Sequence, residues 1–206
     1  MSYEKIKQGI LDCRSCPLWE FVTNKVPGRG DIPAEIMIVG MNPGQVEDEQ
    51  GQAFVGPSGR VLEACLEEIK KDPDYAKIPY FITNAVKCIC WVDPVERKKI
   101  REPSSKEIKT CTSFLAMELN LIQPKLVVAL GKVPLVAFGK NVAIGKARGK
   151  VITGRLADRI WPILVTWHPA YLIRSGHPER KKEFYYDLRY AFFLVHEYKY
   201  MKGGEK

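Results

Sequence analysis

Apolar positions along this chain follow two alternating patterns. Glu35-Ile-Met-Ile-Val-Gly40, Pro79-Tyr-Phe-Ile-Thr-Asn84, Lys125-Leu-Val-Val-Ala-Leu-Gly131 and Pro162-Ile-Leu-Val-Thr166 are short and rich in branched or aromatic residues. Short runs of this kind, ended by turn residues, predict strands buried on both faces. Between them, apolar residues recur every three or four positions. Over Arg60–Lys71, Val61, Leu62, Cys65, Leu66 and Ile69 share one helical face. Ser104-Ser-Lys-Glu107 is a capping box that opens a helix running towards Asn120, with Ile108, Cys111, Leu115 and Leu119 on one side. A short helix is expected near Val133–Gly139, an edge strand over Arg148–Gly154, and a last helix from about Pro178 burying Phe184, Leu188, Ala191, Phe192 and Val195. Glu96-Arg-Lys-Lys-Ile-Arg-Glu102 reads as a charged loop.

Strands alternating with helices predict an α/β protein with a parallel sheet covered on both faces. Ligands of such sheets gather at the carboxyl ends of the strands. Three segments of unusual composition fall there: 40–56 after the first strand, Asn84 after the second and His168 after the fourth.

Composition narrows the partners. Of 206 residues, 46% are hydrophobic and 27% charged, which suits one folded domain over 1–206. The net charge of +8 favours a polyanion such as nucleic acid. No apolar stretch approaches the roughly 18 residues of a membrane span, and the N-terminal segment lacks a secretory pattern. The expectation is a cytoplasmic, nucleoid-associated protein with no membrane partner, working as a monomer.

In a reducing compartment, clustered cysteines point to metal rather than to disulfides. Cys13-x-x-Cys16 places two thiols on one edge of a site, and Cys88 and Cys111 supply two more. Four thiolates suit tetrahedral zinc or a [4Fe-4S] cluster, and spacing does not choose between them. Cys65 and Cys90 read as core thiols. The glycine-rich segments Gly40-Met-Asn-Pro-Gly44 and Gln50-Gly-Gln-Ala-Phe54-Val-Gly56 allow close backbone approach to a ligand. Taken singly, each residue also has an ordinary reading: Asn42 closing an Asx-turn, Phe54 in the core, His168 ending a strand, Tyr171-Leu-Ile-Arg174 starting a helix.

Taken in order, the CxxC, the Gly40–Gly56 block, Thr83-Asn-Ala-Val-Lys-Cys88 and His168-Pro-Ala-Tyr-Leu-Ile-Arg174 resemble the uracil-DNA glycosylase superfamily, most closely its iron–sulfur family 4. The resemblance covers Cys13 to about Ser175. It implies a three-layer α/β/α fold around a four-stranded parallel sheet. It also implies that Cys13, Cys16, Cys88 and Cys111 hold a [4Fe-4S] cluster, with zinc the alternative. The substrate would be uracil-containing DNA, with the base flipped out of the stack. Gly40, Met41, Gly44 and Glu47 would border the base, Phe54 would stack on it and Asn84 would read its edge. His168 would donate to a uracil carbonyl oxygen. Tyr171, Leu172, Ile173 and Arg174 would enter or prop the duplex.

Two departures shape the expectation. Family 4 enzymes usually carry Glu where this chain has Met41; the string here looks more like the GxNPG block of the mismatch-specific thymine/uracil glycosylases, which gives the water-positioning role to Asn42. The 97–104 stretch resembles the loop of the UdgX subgroup, whose histidine captures the abasic sugar; Arg101 stands there, so turnover and a phosphate contact are expected instead. Other readings are a glycosylase for hypoxanthine or for thymine opposite guanine, and a non-catalytic DNA-binding relative. The sequence does not specify a sliding-clamp contact.

Overall fold

The computed structural model describes residues 2–203, with side chains described through residue 198. In chain order the elements are α1 (Tyr3–Asp12), β1 (Arg29–Gly30), β2 (Ile36–Gly40), α2 (Gln45–Gln50), α3 (Pro57–Ile69), β3 (Tyr80–Asn84), β4 (Trp91–Asp93), β5 (Lys98–Ile100), α4 (Ser105–Ile122), β6 (Leu126–Leu130), α5 (Lys132–Ala137), α6 (Ile144–Ala147), β7 (Val151–Leu156), β8 (Arg159–Thr166), α7 (Pro169–Ser175) and α8 (Pro178–Gly203). The sheet runs β1-β3-β2-β6-β8-β7. Its four central strands are mutually parallel, as expected. Antiparallel edges extend it to six: the short β1 on β3, and β7 on β8.

The continuous apolar runs form central strands because both faces of the sheet are covered. Met37 and Val39 pack on one side with Ile108, Leu115 and Leu119 of α4 and Val133 and Leu135 of α5. Ile36 and Ile38, one residue out of phase, pack on the other with Leu62 and Leu66 of α3 and Leu188 and Phe192 of α8. Removing these faces from water is the main favourable contribution to folding, about 25 cal/mol per Å² of apolar surface. The Ser104 capping box is present: Ser104 Oγ accepts from Glu107 N and Glu107 accepts from Ser104 N. Among the described residues no helix is long and apolar enough to cross a membrane.

One element departs from expectation. The charged 96–102 stretch is no simple loop but part of an antiparallel β4–β5 hairpin, pairing Trp91 with Ile100 and Asp93 with Lys98. Its lysine and arginine residues hide the pattern, since β5 is exposed along its whole length and needs no apolar alternation.

Strand order places the site. From β2 the chain moves to β3 on one side, then returns across to β6 on the other. Where the order reverses, the connections diverge and leave a crevice at the carboxyl ends.

Candidate active site

A groove of about 1040 Å³ opens at those carboxyl ends. Its floor and walls include Met41, Asn42 and Gly44 after β2, Phe54 before α3, Asn84 at the end of β3, Gly131 after β6 and His168 after β8. The β4–β5 hairpin walls one side with Trp91, Arg97 and Lys99; α7 walls another with Tyr171, Ile173 and Arg174. Segments scattered over more than 120 positions in sequence thus share one cavity.

Register makes Gly40 and Asn84 neighbours. A Cβ on Gly40 would stand 2.4 Å from Phe54 Cζ and 2.5 Å from Asn84 Oδ1. The missing side chain therefore lets the Phe54 ring and the Asn84 amide occupy adjoining space. Phe54 itself has φ 54°, the left-handed region that a bulky residue rarely adopts. Its surroundings hold it there. Arg29 donates from Nε to the Ala53 carbonyl (2.6 Å) and from Nη2 to the Phe54 carbonyl (3.3 Å), and pairs with Glu63 of α3. Gly59 lets α3 close on this backbone, since a Cβ there would sit 2.1 Å from the Phe54 carbonyl oxygen. Sequence reading missed Arg29 and Glu63, whose partners lie tens of residues away, and Gly59, whose neighbour Phe54 is only five residues back.

Two side-chain oxygens in the groove residues are buried without partners: Asn42 Oδ1 and Asn84 Oδ1. An unpaired buried carbonyl costs free energy unless a ligand or water satisfies it. Asn42 turns its Nδ2 to the Pro43 carbonyl (2.8 Å), so its amide group is fixed while its oxygen stays free. That is not the Asx-turn geometry, in which the oxygen would accept a backbone N–H.

His168 is the N-cap of α7, and its Nδ1 accepts from Ala170 N at 3.1 Å. An acceptor at Nδ1 leaves the neutral ring's proton on Nε2. The residue is half-buried, and burial, with Arg174 adding, pushes its pKa down to about 4. The result is a neutral hydrogen-bond donor held at the end of β8.

Other expected site residues have different employment. Glu47 borders the groove, but its carboxylate accepts from Gly44 N (3.1 Å) and Gly56 N (2.7 Å), bracing the two glycine turns. Asp48 accepts from Thr23 N and Asn24 N. Arg101, expected to meet phosphate, is instead spent on protein. It makes a bidentate pair with Glu107 (2.9 and 2.8 Å) and donates to the Trp91 and Glu102 carbonyls. This pairing holds the Glu107 carboxyl down at about 2 and fastens the hairpin to α4. Leu172, expected at the DNA surface, is fully buried against the α3–α8 side of the core. The outward apolar residue of α7 is Ile173, 46% exposed. Tyr171 lines the groove with its ring against Trp167 (centroids 5.2 Å apart) and Arg180 above it. Trp167 is in turn fixed by Glu183 of α8 (2.7 Å).

On the other side of β3, Cys13, Cys16, Cys88 and Cys111 line one small cavity with Ile10, Leu18 and Phe114. Among the described residues no three Cys, His, Asp or Glu side chains are already drawn to metal-binding spacing. The thiols nonetheless converge from the end of α1, the loop after β3 and α4. Burial, then the other three thiols, raise the Cys88 pKa well above the ordinary range; burial takes Cys111 up to about 11. A bound cation would reverse that, because metals bind thiolates. The donor set suits a thiophilic metal or cluster. Cys90 lies outside that cavity, with its thiol on the Cys88 carbonyl, and Cys65 lies on α3.

Residues 27–189 match the model of the uracil DNA glycosylase superfamily. A type-4 uracil-DNA glycosylase of Sulfurisphaera tokodaii is 37% identical over 174 residues, covering 82% of this chain and 74% of the relative. Those of Pyrobaculum aerophilum and Thermotoga maritima are 32% and 33% identical, covering 93% and 91% of this chain and 94% and 92% of theirs.

Proposed function

This chain belongs to the uracil DNA glycosylase superfamily, and we propose that its groove takes a uracil flipped out of DNA and hydrolyses the bond between uracil N1 and the sugar C1′. The observation that carries this reading is the free, buried Asn84 Oδ1 beside the Phe54 ring. An amide presents an acceptor for uracil N3–H and a donor for O4, whereas cytosine offers the opposite pattern. Phe54 supplies a stacking face, worth roughly 1–3 kcal/mol per base. Extrusion costs a few kcal/mol, least for a mispaired base. The net positive charge supplies salt-dependent phosphate binding, and Ile173 with Arg174 is better placed than Leu172 to fill the vacated stack.

Cleavage leaves the bonding pair on uracil, as an anion delocalised over N1 and O2, and a cationic sugar. His168 Nε2–H donates to O2 as that charge develops. A neutral imidazole suffices, since a preorganised donor pays no reorganisation cost in the transition state. Asn42 Oδ1 accepts from a water and aims its oxygen at C1′. The water's oxygen bonds to C1′, its surplus proton passes to solvent, and uracil is protonated on release. An abasic site remains in the DNA. Arg101, tied to Glu107, has no imidazole to bond to the sugar, so turnover follows rather than capture.

Cys13, Cys16, Cys88 and Cys111 would hold a [4Fe-4S] cluster. That group would cross-link the end of α1 and α4 to the loop following Asn84, and it takes no part in bond cleavage. Purified protein is expected to be brown, with iron and acid-labile sulfide in equal amounts. Colourless protein carrying zinc would overturn the iron assignment while keeping the four ligands.

The function is tested by base release from labelled oligonucleotides, single-stranded or paired with G or A, carrying uracil, thymine or hypoxanthine and read by alkaline strand scission. Cleavage at uracil is expected in each context. Cleavage only at thymine or hypoxanthine would move the assignment to that base; none, with DNA still bound, would make the chain a non-catalytic relative.

A further inference from the structure

Behind Asn84, on the side away from the groove, lies a charged pair that the chemistry above does not use. Lys87 and Glu118 have side chains 2% and 0% exposed, with Nζ 2.7 Å from Oε2. Deprived of water, the ammonium needs three acceptors and has them: Thr83 Oγ1 (2.5 Å), the Asn84 carbonyl (2.8 Å) and Glu118. The Thr83 hydroxyl completes the set by donating to Glu118 (3.0 Å).

A dry ion pair is weak evidence of stabilisation, since apolar replacements of similar volume are often as stable. Its partners say more. The peptide joining Asn84 to Ala85 is gripped at both edges. Its N–H donates to the Gly40 carbonyl (2.9 Å) and its C=O accepts from Lys87 Nζ. The orientation of that plane at the end of β3 governs where the Asn84 side chain points. Lys87 also reaches the cysteine site through its main chain, where its N–H donates to Cys111 Sγ (3.4 Å). Cys111 and Glu118 stand seven residues, two turns, apart on α4, so one helix face carries both of Lys87's anchors.

We propose that Lys87 is a positioning residue for base recognition: held by Glu118 and by Cys111, it fixes the Asn84 peptide and so the aim of the Asn84 amide, tying the base-reading residue to the four-cysteine site. This rests on the reading of Asn84 as the residue that meets uracil.

The test is a double-mutant cycle in the full, iron-loaded chain. Lys87→Met/Glu118→Gln removes both charges and leaves Thr83 a partner. Folding is checked by thermal melting and by the visible absorbance of the cluster. Single-turnover uracil release is then measured in this variant, in Asn84→Ala and in the combination. The expected loss for Lys87→Met/Glu118→Gln is roughly 10–100-fold, by analogy with the loss of a partner that orients a metal ligand. It should largely vanish when Asn84 is already alanine. A purely structural pair would slow both backgrounds alike, and that additivity, or an unchanged rate, overturns the proposal. If the double variant does not fold, Glu118→Gln alone, which removes the charged anchor of Lys87 and so loosens its hold on the Asn84 carbonyl, is put through the same cycle with the same criterion. Asn84→Ala that by itself leaves uracil release untouched would instead bring down the base-reading assignment, and is distinguishable because no change at Lys87 is involved.

Discussion

His168→Asn is expected to slow single-turnover uracil release by roughly 10²–10³-fold, the cost of losing one preorganised donor to a developing oxyanion, while leaving DNA affinity nearly unchanged. Asparagine is chosen over alanine because His168 has two jobs. Its Nδ1 caps α7 by accepting from Ala170 N, and asparagine is a favoured N-cap whose oxygen can do the same. What asparagine cannot restore is the donor at the reach of Nε2. A variant that binds DNA poorly but releases uracil at the normal single-turnover rate would remove His168 from the chemistry.

The pH profile gives a second check on the same residue. With its pKa pushed down to about 4, the imidazole stays neutral with the proton on Nε2 from about pH 5 to 8, so the rate should be flat there as far as this group is concerned. A break near the ordinary histidine value, lost in His168→Asn, would show a ring that titrates freely. Stability follows with a definite sign. A histidine whose folded pKa is lowered resists protonation only in the native state. Its contribution is complete above the unfolded value near 6.5 and falls as pH drops from there through about 4.

Gly40→Ala is expected to lower kcat/KM for uracil about 10²-fold, the order of loss for a 1 Å displacement of a positioned group. The added methyl meets Phe54 and Asn84 together. Phe54 cannot slide away easily, because Arg29 holds the carbonyls of 53 and 54 and α3 closes on its backbone at Gly59. Asn84 is held by its strand and by Lys87. Overpacking of this kind costs typically 1–3 kcal/mol of stability, so the variant should fold with a lowered melting temperature. Kinetics on the uracil oligonucleotide beside a thermal melt decide it: a melting temperature that drops while kcat/KM stays at wild type would mean that the base does not sit between Phe54 and Asn84.

Much of this was readable from sequence because it depends on local rules. Buried parallel strands need continuous apolar runs, so β2, β3, β6 and β8 announced themselves, and the Ser104 capping box marked α4 to within a residue. The glycine turns after β2 and the cysteine spacings were equally legible. What the sequence could not decide were matters of partner and direction. Whether Leu172 or its neighbour Ile173 faces outward depends on how α7 rotates against the core. Arg101 looked free for phosphate until Glu107, six residues on, took both arms of its guanidinium. Arg29 gave no sign of gripping the Phe54 turn, nor Lys87 of sharing a dry ion pair with Glu118, 31 residues away.

Periodicity and turn chemistry are properties of a few neighbouring residues, and they alone determined the order of elements and the residues at the strand ends. Contacts between segments distant in the chain are set only when the layers pack. Packing decided which polar atoms were satisfied by protein and which, like Asn42 Oδ1 and Asn84 Oδ1, were left buried without a protein partner.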